Sequence, residues 1–288
     1  MTSPSNNGVP AEAIPDWLTA ASEAMERRSA NLEKKVIHVT ELLNPAHQVR
    51  LKDAYQWVDD TEAESRIPAM LGIGFHEYLA SLEYGPHDSC EEQSIDYHFD
   101  DWLIKGTPDW WSQSQSLLRD YKTTSMWSHV FGKREWEQQV NLYRWMLAES
   151  GHPLDRLEVH AVFTDWKKRE VQRNFDLPRK RYQIYQFRPW PIGDVENFVS
   201  TRLRALEAPS KECSSAERWE RDEHWAVMKT GRKTALKRCD SLPEAQEYRD
   251  GIVAQNADFY IEHRPGTPAR CLDWCPVRSV CDFGKNLS

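Results

Sequence analysis

No apolar run in the 288 residues approaches the length needed to cross a bilayer. Met1 to Pro10 are small and polar, without the basic start and apolar middle of a secretory signal. Both absences predict a soluble protein of the cytoplasm. There is no internal repeat and no long low-complexity tract. A positive net charge is also missing. The balance is 37 Lys and Arg against 45 Asp and Glu, a net −8. This argues against a protein that coats DNA passively, because phosphate binding needs local cations. It leaves room for cations gathered along one groove and carboxylates gathered round a metal. Cysteine is scarce and uneven: six in all, with Cys271, Cys275 and Cys281 crowded at the C-terminus. In a reducing compartment such crowding points to a metal site more than to disulfides. What remains is globular in balance, 40% hydrophobic and 28% charged. The length suits one large domain, or a core with an appended lobe.

Ala11 to Lys35 carries Ile14, Trp17, Leu18, Ala21 and Met25 at helical spacing. A second helix is expected from Thr40, an N-cap residue, through Leu42, Leu43, Val49 and Leu51. Pro45 falls in its first turns or breaks it. A third is expected over Ile67 to Tyr84. The pattern then changes. Ile95, Tyr97 and Phe99 alternate with polar residues, as a half-buried strand does. Strands are expected over Trp102 to Trp110 and Leu117 to Thr123, joined by a turn at Ser112–Ser116. An amphipathic helix over Lys133 to Ser150 ends at Gly151, and Leu157 to Trp166 is a buried strand. Helix, strands, helix, strand is the order of an α/β sandwich around a mixed sheet. Further on come a helix over Ile192 to Leu206 and a hairpin of Trp225–Lys229 with Thr234–Arg238 about Gly231. Ser241 to Gln255 is helical, and Pro265, Gly266 and Pro268 break the chain before the last cysteines. The chain thus divides into a tail and helix over 1–35, a core over 36–208, and a lobe over 209–288.

The most informative stretch is Gly106-Thr-Pro-Asp109 followed by Asp120-Tyr-Lys122. Alternate residues on a strand face one way, so Asp120 and Lys122 share a side and Tyr121 faces the other. Two acids and a lysine on neighbouring strands suit phosphodiester hydrolysis. Carboxylates hold Mg²⁺ or Mn²⁺ through hard oxygens, and the metal lowers the pKa of bound water. Lys122 can orient that water or stabilise charge in the transition state. A lone Asp-x-Lys on a strand is usually a solvated edge, and a lone His76 on a helix is usually packing.

The combination resembles a known family. Gly72-x-x-x-His76, an acid at Glu92 or Glu91, Gly106-x-x-Asp109, Asp120-Tyr-Lys122 and Gln139-x-x-x-Tyr143 follow in the order seen in RecB-like nucleases of the PD-(D/E)XK type. That branch includes AddB, lambda-type exonucleases and the CRISPR-associated RecB-like exonucleases. Asp120 to Thr124 and Trp136 to Tyr143 are most similar to phage-encoded members. The resemblance implies a restriction-endonuclease-like core with a mixed central sheet flanked by helices. It implies His76, Asp109, Asp120 and the Tyr121 carbonyl as metal ligands. Glu92, with Glu91 as the alternative, completes the acidic set. Gln139 and Tyr143 would contact DNA or position Lys122. The implied activity is a Mg²⁺- or Mn²⁺-dependent DNA exonuclease working beside phage recombination or replication proteins. The alternatives are an endonuclease with the same chemistry and a catalytically silent DNA-binding scaffold.

The spacing Cys271-x-x-x-Cys275-x-x-x-x-x-Cys281 resembles the C-terminal iron–sulfur motif of AddB and its CRISPR-associated relatives. A [4Fe–4S] cluster takes four thiolates. The relatives supply the first from upstream of the nuclease core, but no cysteine precedes His76 here. Cys213 is the fourth candidate, because it opens the phage-like phrase Cys-x-x-x-Glu-Arg-Trp. Cys90 and Cys239 sit in strand-like contexts and read as small hydrophobes. Zinc is the alternative occupant. Three basic runs could contact phosphate: Lys167-Lys168-Arg169, Arg179-Lys180-Arg181 and Arg232-Lys233. Trp110, Trp111 and Trp127 adjoin the catalytic phrases, where aromatics can stack on unpaired bases. With 13 tryptophans in the chain, many must be core.

Overall fold

The computed structural model describes residues 16–25, 30–56, 58, 62–82, 84–87, 89–91, 93–208, 212–252 and 258–287. It divides into two compact units, Met1–Trp57 with Thr61–Pro209, and Val58–Asp60 with Ser210–Ser288. Among the described residues no helix is long and apolar enough to cross a membrane.

The first unit begins with α1 (Asp16–Ala24), β1 (Val36–His38), α2 (Val39–Leu42) and α3 (Ala46–Ala54). The single helix expected from Thr40 is thus two. Pro45 caps α3 from an extended conformation, and its ring and missing N–H prevent α2 from continuing through it. Next come α4 (Ile67–Ala80), β2 (Ser89–Glu91), β3 (Ile95–Phe99), β4 (Trp102–Gly106), β5 (Trp110–Ser112) and β6 (Leu117–Thr124). The strand expected over Trp102 to Trp110 is also split. Pro108 in the gap cannot donate to a ladder, and the two pieces join different sheets. The unit closes with α5 (Trp127–Phe131), α6 (Arg134–Glu149), β7 (Arg156–Phe163), α7 (Lys168–Arg173), β8 (Tyr182–Phe187) and α8 (Ile192–Glu207).

One sheet has the order β1-β4-β3, with β1 parallel and β3 antiparallel to β4. The other has the order β2-β5-β6-β7-β8 and is mixed, because β6 and β7 run parallel while its other pairs are antiparallel. The β6–β7 pairing runs without a break from Leu117↔Arg156 to Thr124↔Phe163. Helix α6 supplies Val140, Leu142, Trp145, Met146 and Leu147 to a core shared with Ile37, Ile104, Leu118, Val159 and Phe163. On another face, Phe75 and Leu79 of α4 pack with Trp110, Leu117 and Tyr121. This two-sided burial explains why β6 has apolar residues of both parities.

The second unit contains β9 (Glu220–Arg221), β10 (His224–Lys229), β11 (Lys237–Cys239), α9 (Leu242–Ile252), β12 (Phe259–Arg264), β13 (Thr267–Pro268) and α10 (Ala269–Asp273). The expected hairpin of β10 and β11 is present, and β12 flanks β10 on its other edge. Val227, Cys239 and Ala245 form the small core beneath α9.

Candidate active site

Helix α4 can approach β6 because Gly72 has no side chain. A Cβ there would lie 3.1 Å from Thr123 Oγ1. His76 is four residues on, so it shares that face. Its Nε2 lies 2.9 Å from the Tyr121 carbonyl, which can accept but not donate, so Nε2 carries a proton. Nδ1 lies 3.3 Å from Asp109 Oδ1. Both ring nitrogens face oxygen, and a doubly protonated ring satisfies both. The bond to Asp109 raises the His76 pKa above its ordinary value, against the opposing effect of burial.

Asp109 lies in the break between β4 and β5. Its Oδ2 accepts from the Tyr121 N–H at 2.7 Å. One carboxylate therefore ties that break both to the middle of β6 and to α4. Gly106 begins the break where Tyr143 of α6 leaves no room, since a Cβ would stand 3.0 Å from the Tyr143 ring. Gln139 Nε2 donates to Tyr143 Oη at 3.2 Å, and both side chains are buried.

Asp120 and Lys122 share a side of β6 as expected. Tyr121 turns to the other, where it bonds Tyr84 Oη at 2.9 Å and meets the His160 ring edge-on. Asp120 is 1% exposed. Lys122 Nζ stands 2.7 Å from its Oδ2. Oδ2 is thus ion-paired with the ammonium, whereas Oδ1 has no hydrogen-bond partner among the described residues. Burial pushes the Asp120 pKa up to about 6, with Lys122 opposing and Asp109 adding repulsion. Burial also disfavours the charge on Lys122, but Asp120 and Asp109 outweigh it and hold the ammonium above the ordinary lysine range.

A buried carboxylate with one oxygen unpartnered is a costly arrangement that a further cation relieves. Asp109, Asp120 and the Tyr121 carbonyl are hard oxygen donors of the kind Mg²⁺ and Mn²⁺ prefer. Among the described residues, no three His, Cys, Asp or Glu side chains close into a metal cage. Magnesium does not need one, since it usually binds through one or two carboxylates and keeps several waters. His76 as placed gives its Nε2 proton to a candidate ligand atom, so ligation through Nε2 would require that bond to break. Glu92 lies outside the described residues. The backbone of Glu91 pairs with Trp110, the residue after Asp109.

Two features escaped the sequence. Glu158 on β7 is buried and gathers His160 Nε2 at 2.9 Å, Arg156 at 3.3 Å and Arg119 at 3.6 Å. Its only sequence signal was polar residues at alternate positions of an apolar strand. Their partner strand became known only with the parallel register Arg119↔Glu158 and Tyr121↔His160. The tryptophans also sort differently from expectation. Trp110 and Trp111 are buried and cannot stack on bases, because both faces of β5 are covered. Trp127 is exposed.

In the second unit none of the four candidate cysteines is disulfide-bonded. Cys271 lies on α10, Cys275 just after it, and Cys281 after a 3-10 turn at Arg278–Val280. Burial pushes Cys213 up to about 12, and the charges of Glu217, Cys271, Cys275 and Cys281 add to it. Cys271 is pushed up to about 11 by burial and then by Cys275 and Cys281. Cys271, Cys275 and Cys281 thus lie within electrostatic reach of Cys213, but among the described residues no group of three or more His, Cys, Asp or Glu could hold a metal ion. Cys90 is on β2 and Cys239 is in the core under α9.

The first unit is mixed α/β and brings together a buried Asp-x-Lys strand, a second acid and a helix histidine. The profile of the PD-(D/E)XK nuclease superfamily matches residues 10–282, and the chain belongs to that superfamily. Two solved structures are similar. One is the protein titled SSO0001, with 17% identity and a TM-score of 0.45, covering 67% of this chain and 86% of its own. The other is a phage related exonuclease from Haemophilus somnus 129PT, with 12% identity and a TM-score of 0.35, covering 65% of this chain and 94% of its own. No curated protein sequence matches significantly.

Proposed function

We propose that the chain is a Mg²⁺- or Mn²⁺-dependent DNA exonuclease acting beside phage recombination or replication proteins in the host cytoplasm. The observation that carries the nuclease reading is Asp120, buried, ion-paired through Oδ2 with Lys122, left with Oδ1 unpartnered among the described residues, and within electrostatic reach of Asp109 and His76. Asp109, Asp120 and the Tyr121 carbonyl would hold the ion, with His76 at its edge and Glu92 or Glu91 completing the acidic set. When bound, the ion supplies a nucleophilic water near neutral pH and neutralises phosphate charge. Lys122, kept charged by its two carboxylates, orients the attacking water or stabilises charge on the phosphate. Asp109 positions β6 by bonding the Tyr121 N–H. Gln139 and Tyr143 hold each other on α6 and would contact DNA or position Lys122.

The exonuclease half of the proposal rests on the Gly72-x-x-x-His76 phrase. End-labelled linear DNA with Mn²⁺ should release mononucleotides or short oligomers, EDTA should stop the release, and closed circles should survive. Nicked or linearised circles would favour an endonuclease, and no cleavage by the intact protein would favour a silent scaffold. In the second unit, Cys213, Cys271, Cys275 and Cys281 would hold a [4Fe–4S] cluster, with zinc as the alternative. Support comes from the electrostatic influence of Cys271, Cys275 and Cys281 on Cys213, and of Cys275 and Cys281 on Cys271.

A further inference from the structure

Strands β6 and β7 are parallel, so their C-terminal ends emerge at one end of the sheet. There the Thr164 N–H donates to the Thr124 carbonyl at 2.9 Å. The segments that leave this end are unusual for a surface. After β6 comes the short helix α5, on which Trp127 and Phe131 lie one turn apart. Their rings stack at 6.1 Å with an interplanar angle of 25°, yet they are 46% and 67% exposed. After β7 comes the segment from Asp165 to Arg181, with seven Lys and Arg against three Asp and Glu, in a chain of net −8.

These two segments are tied together. Asp165 accepts from Ser125 Oγ at 2.6 Å and from the Met126 N–H at 2.7 Å, which fixes the start of α5. His129 of α5 bonds Tyr185 Oη at 2.7 Å. Within the basic segment Trp166 Nε1 donates to the Pro178 carbonyl, and Arg181 lies over the Trp166 ring. The segment is thus folded back on itself rather than trailing away. Lys122 and Trp127 are five residues apart, so their Cα atoms are at most about 18 Å apart. That is a reach of about five nucleotides at the duplex rise of 3.4 Å.

We infer that this end of the sheet is a binding strip for a single-stranded segment of the DNA substrate. Bases stack on Trp127 and Phe131, and phosphates lie against the cations of 167–181. The inference rests on the nuclease reading and names the substrate class of that same site. A single strand is the occupant because its bases have free faces, whereas duplex bases are already stacked on one another. Stacking serves every sequence alike and needs no hydrogen-bond readout. The charge of the neighbouring segment, opposite to that of the chain, is complementary to a phosphate backbone and poorly suited to an apolar protein partner.

The test measures binding with EDTA present, so that it does not depend on cleavage. The probes are a fluorescein-labelled oligo(dT) and a blunt duplex of equal length. Trp127→Ala and Phe131→Ala should each weaken oligo(dT) binding about ten-fold or more and leave the duplex nearly unchanged. Trp127→Tyr should retain most of the affinity, and Trp127→Leu should not. Lys168→Ala with Arg169→Ala should lower the salt slope of oligo(dT) binding by about 0.7 for each phosphate left without its cation. In cleavage of DNA with an unpaired end, the loss should fall on KM more than on kcat. Oligo(dT) affinity unchanged in Trp127→Ala, equal losses on duplex and single strand, or full binding by Trp127→Leu would each overturn the inference. The last result would mean that apolar bulk at this position, and not ring stacking, serves the DNA contact. A wild type that binds oligo(dT) through Trp127 but cleaves nothing with Mn²⁺ would sustain the strip and remove the nuclease reading. Intact cleavage with unchanged oligo(dT) affinity would do the reverse.

Discussion

Replacing Asp120 by asparagine keeps the shape of the side chain and removes its charge. The wild-type carboxyl is pushed up from 3.8 to about 6, chiefly by burial, with the attraction of Lys122 already included. That rise corresponds to roughly 3 kcal/mol of cost for the ionised form. Between 3.8 and about 6 the folded protein holds a proton that the unfolded chain has lost. Stability of the metal-free protein therefore falls as pH rises through that window, and the loss is complete above it. Metal-free Asp120→Asn should match the wild type below about pH 4 and exceed it above about pH 6 by up to roughly 3 kcal/mol. In a unit of this size that is a Tm higher by about 6–12 °C. Adding Mn²⁺ should reverse the order, because a ligand that binds the folded state raises its stability only where its site is intact. Cleavage of end-labelled DNA should vanish in the variant. The assays are thermal denaturation in EDTA across pH, repeated with Mn²⁺. A pH-independent difference between the two proteins, or equal stabilisation of both by Mn²⁺, would refute the reasoning.

Lys122→Ala should cost about 10²- to 10³-fold in turnover while Mn²⁺ affinity by titration calorimetry stays close to wild type, because an ammonium is not a ligand; affinity that fell along with turnover would contradict this role. Burial pushes the Glu158 carboxyl up, but His160, Gln186 and Arg119 outweigh it and hold it below its ordinary value of 4.5. Its stabilisation is thus present above that value and lost as pH falls through the lower folded one, so Glu158→Gln should flatten the acid limb of the Tm-versus-pH curve without changing the limb above neutrality. Protein purified without oxygen should be brown and hold about four irons per chain, and Cys213→Ser should bleach it while Cys239→Ser does not. Colourless protein with one zinc per chain would replace the iron and keep the four-thiol site.

The chain by itself determined what depends on neighbours along it. The helical period from Lys133 to Ser150 predicted α6, and the strand period of two put Asp120 and Lys122 on one side of the strand expected over Leu117 to Thr123. The Gly72-x-x-x-His76 and Gln139-x-x-x-Tyr143 phrases were legible only through their resemblance to a known family, since a four-residue step is common on any helix. Tertiary structure alone decided which elements meet. No local signal said that β6 takes β7 as a parallel partner, that Asp109 leaves a strand at Pro108 to bond the Tyr121 N–H, or that His76 gives a proton to the Tyr121 carbonyl. Those contacts join residues from 12 to 45 positions apart, and closing such loops is a property of the whole packed chain. The same holds for the tryptophans. Trp110 and Trp127 look alike in the sequence, but β5 is covered on both faces and α5 on one. Only the packed structure made the first part of the core and left the second facing solvent beside the basic segment.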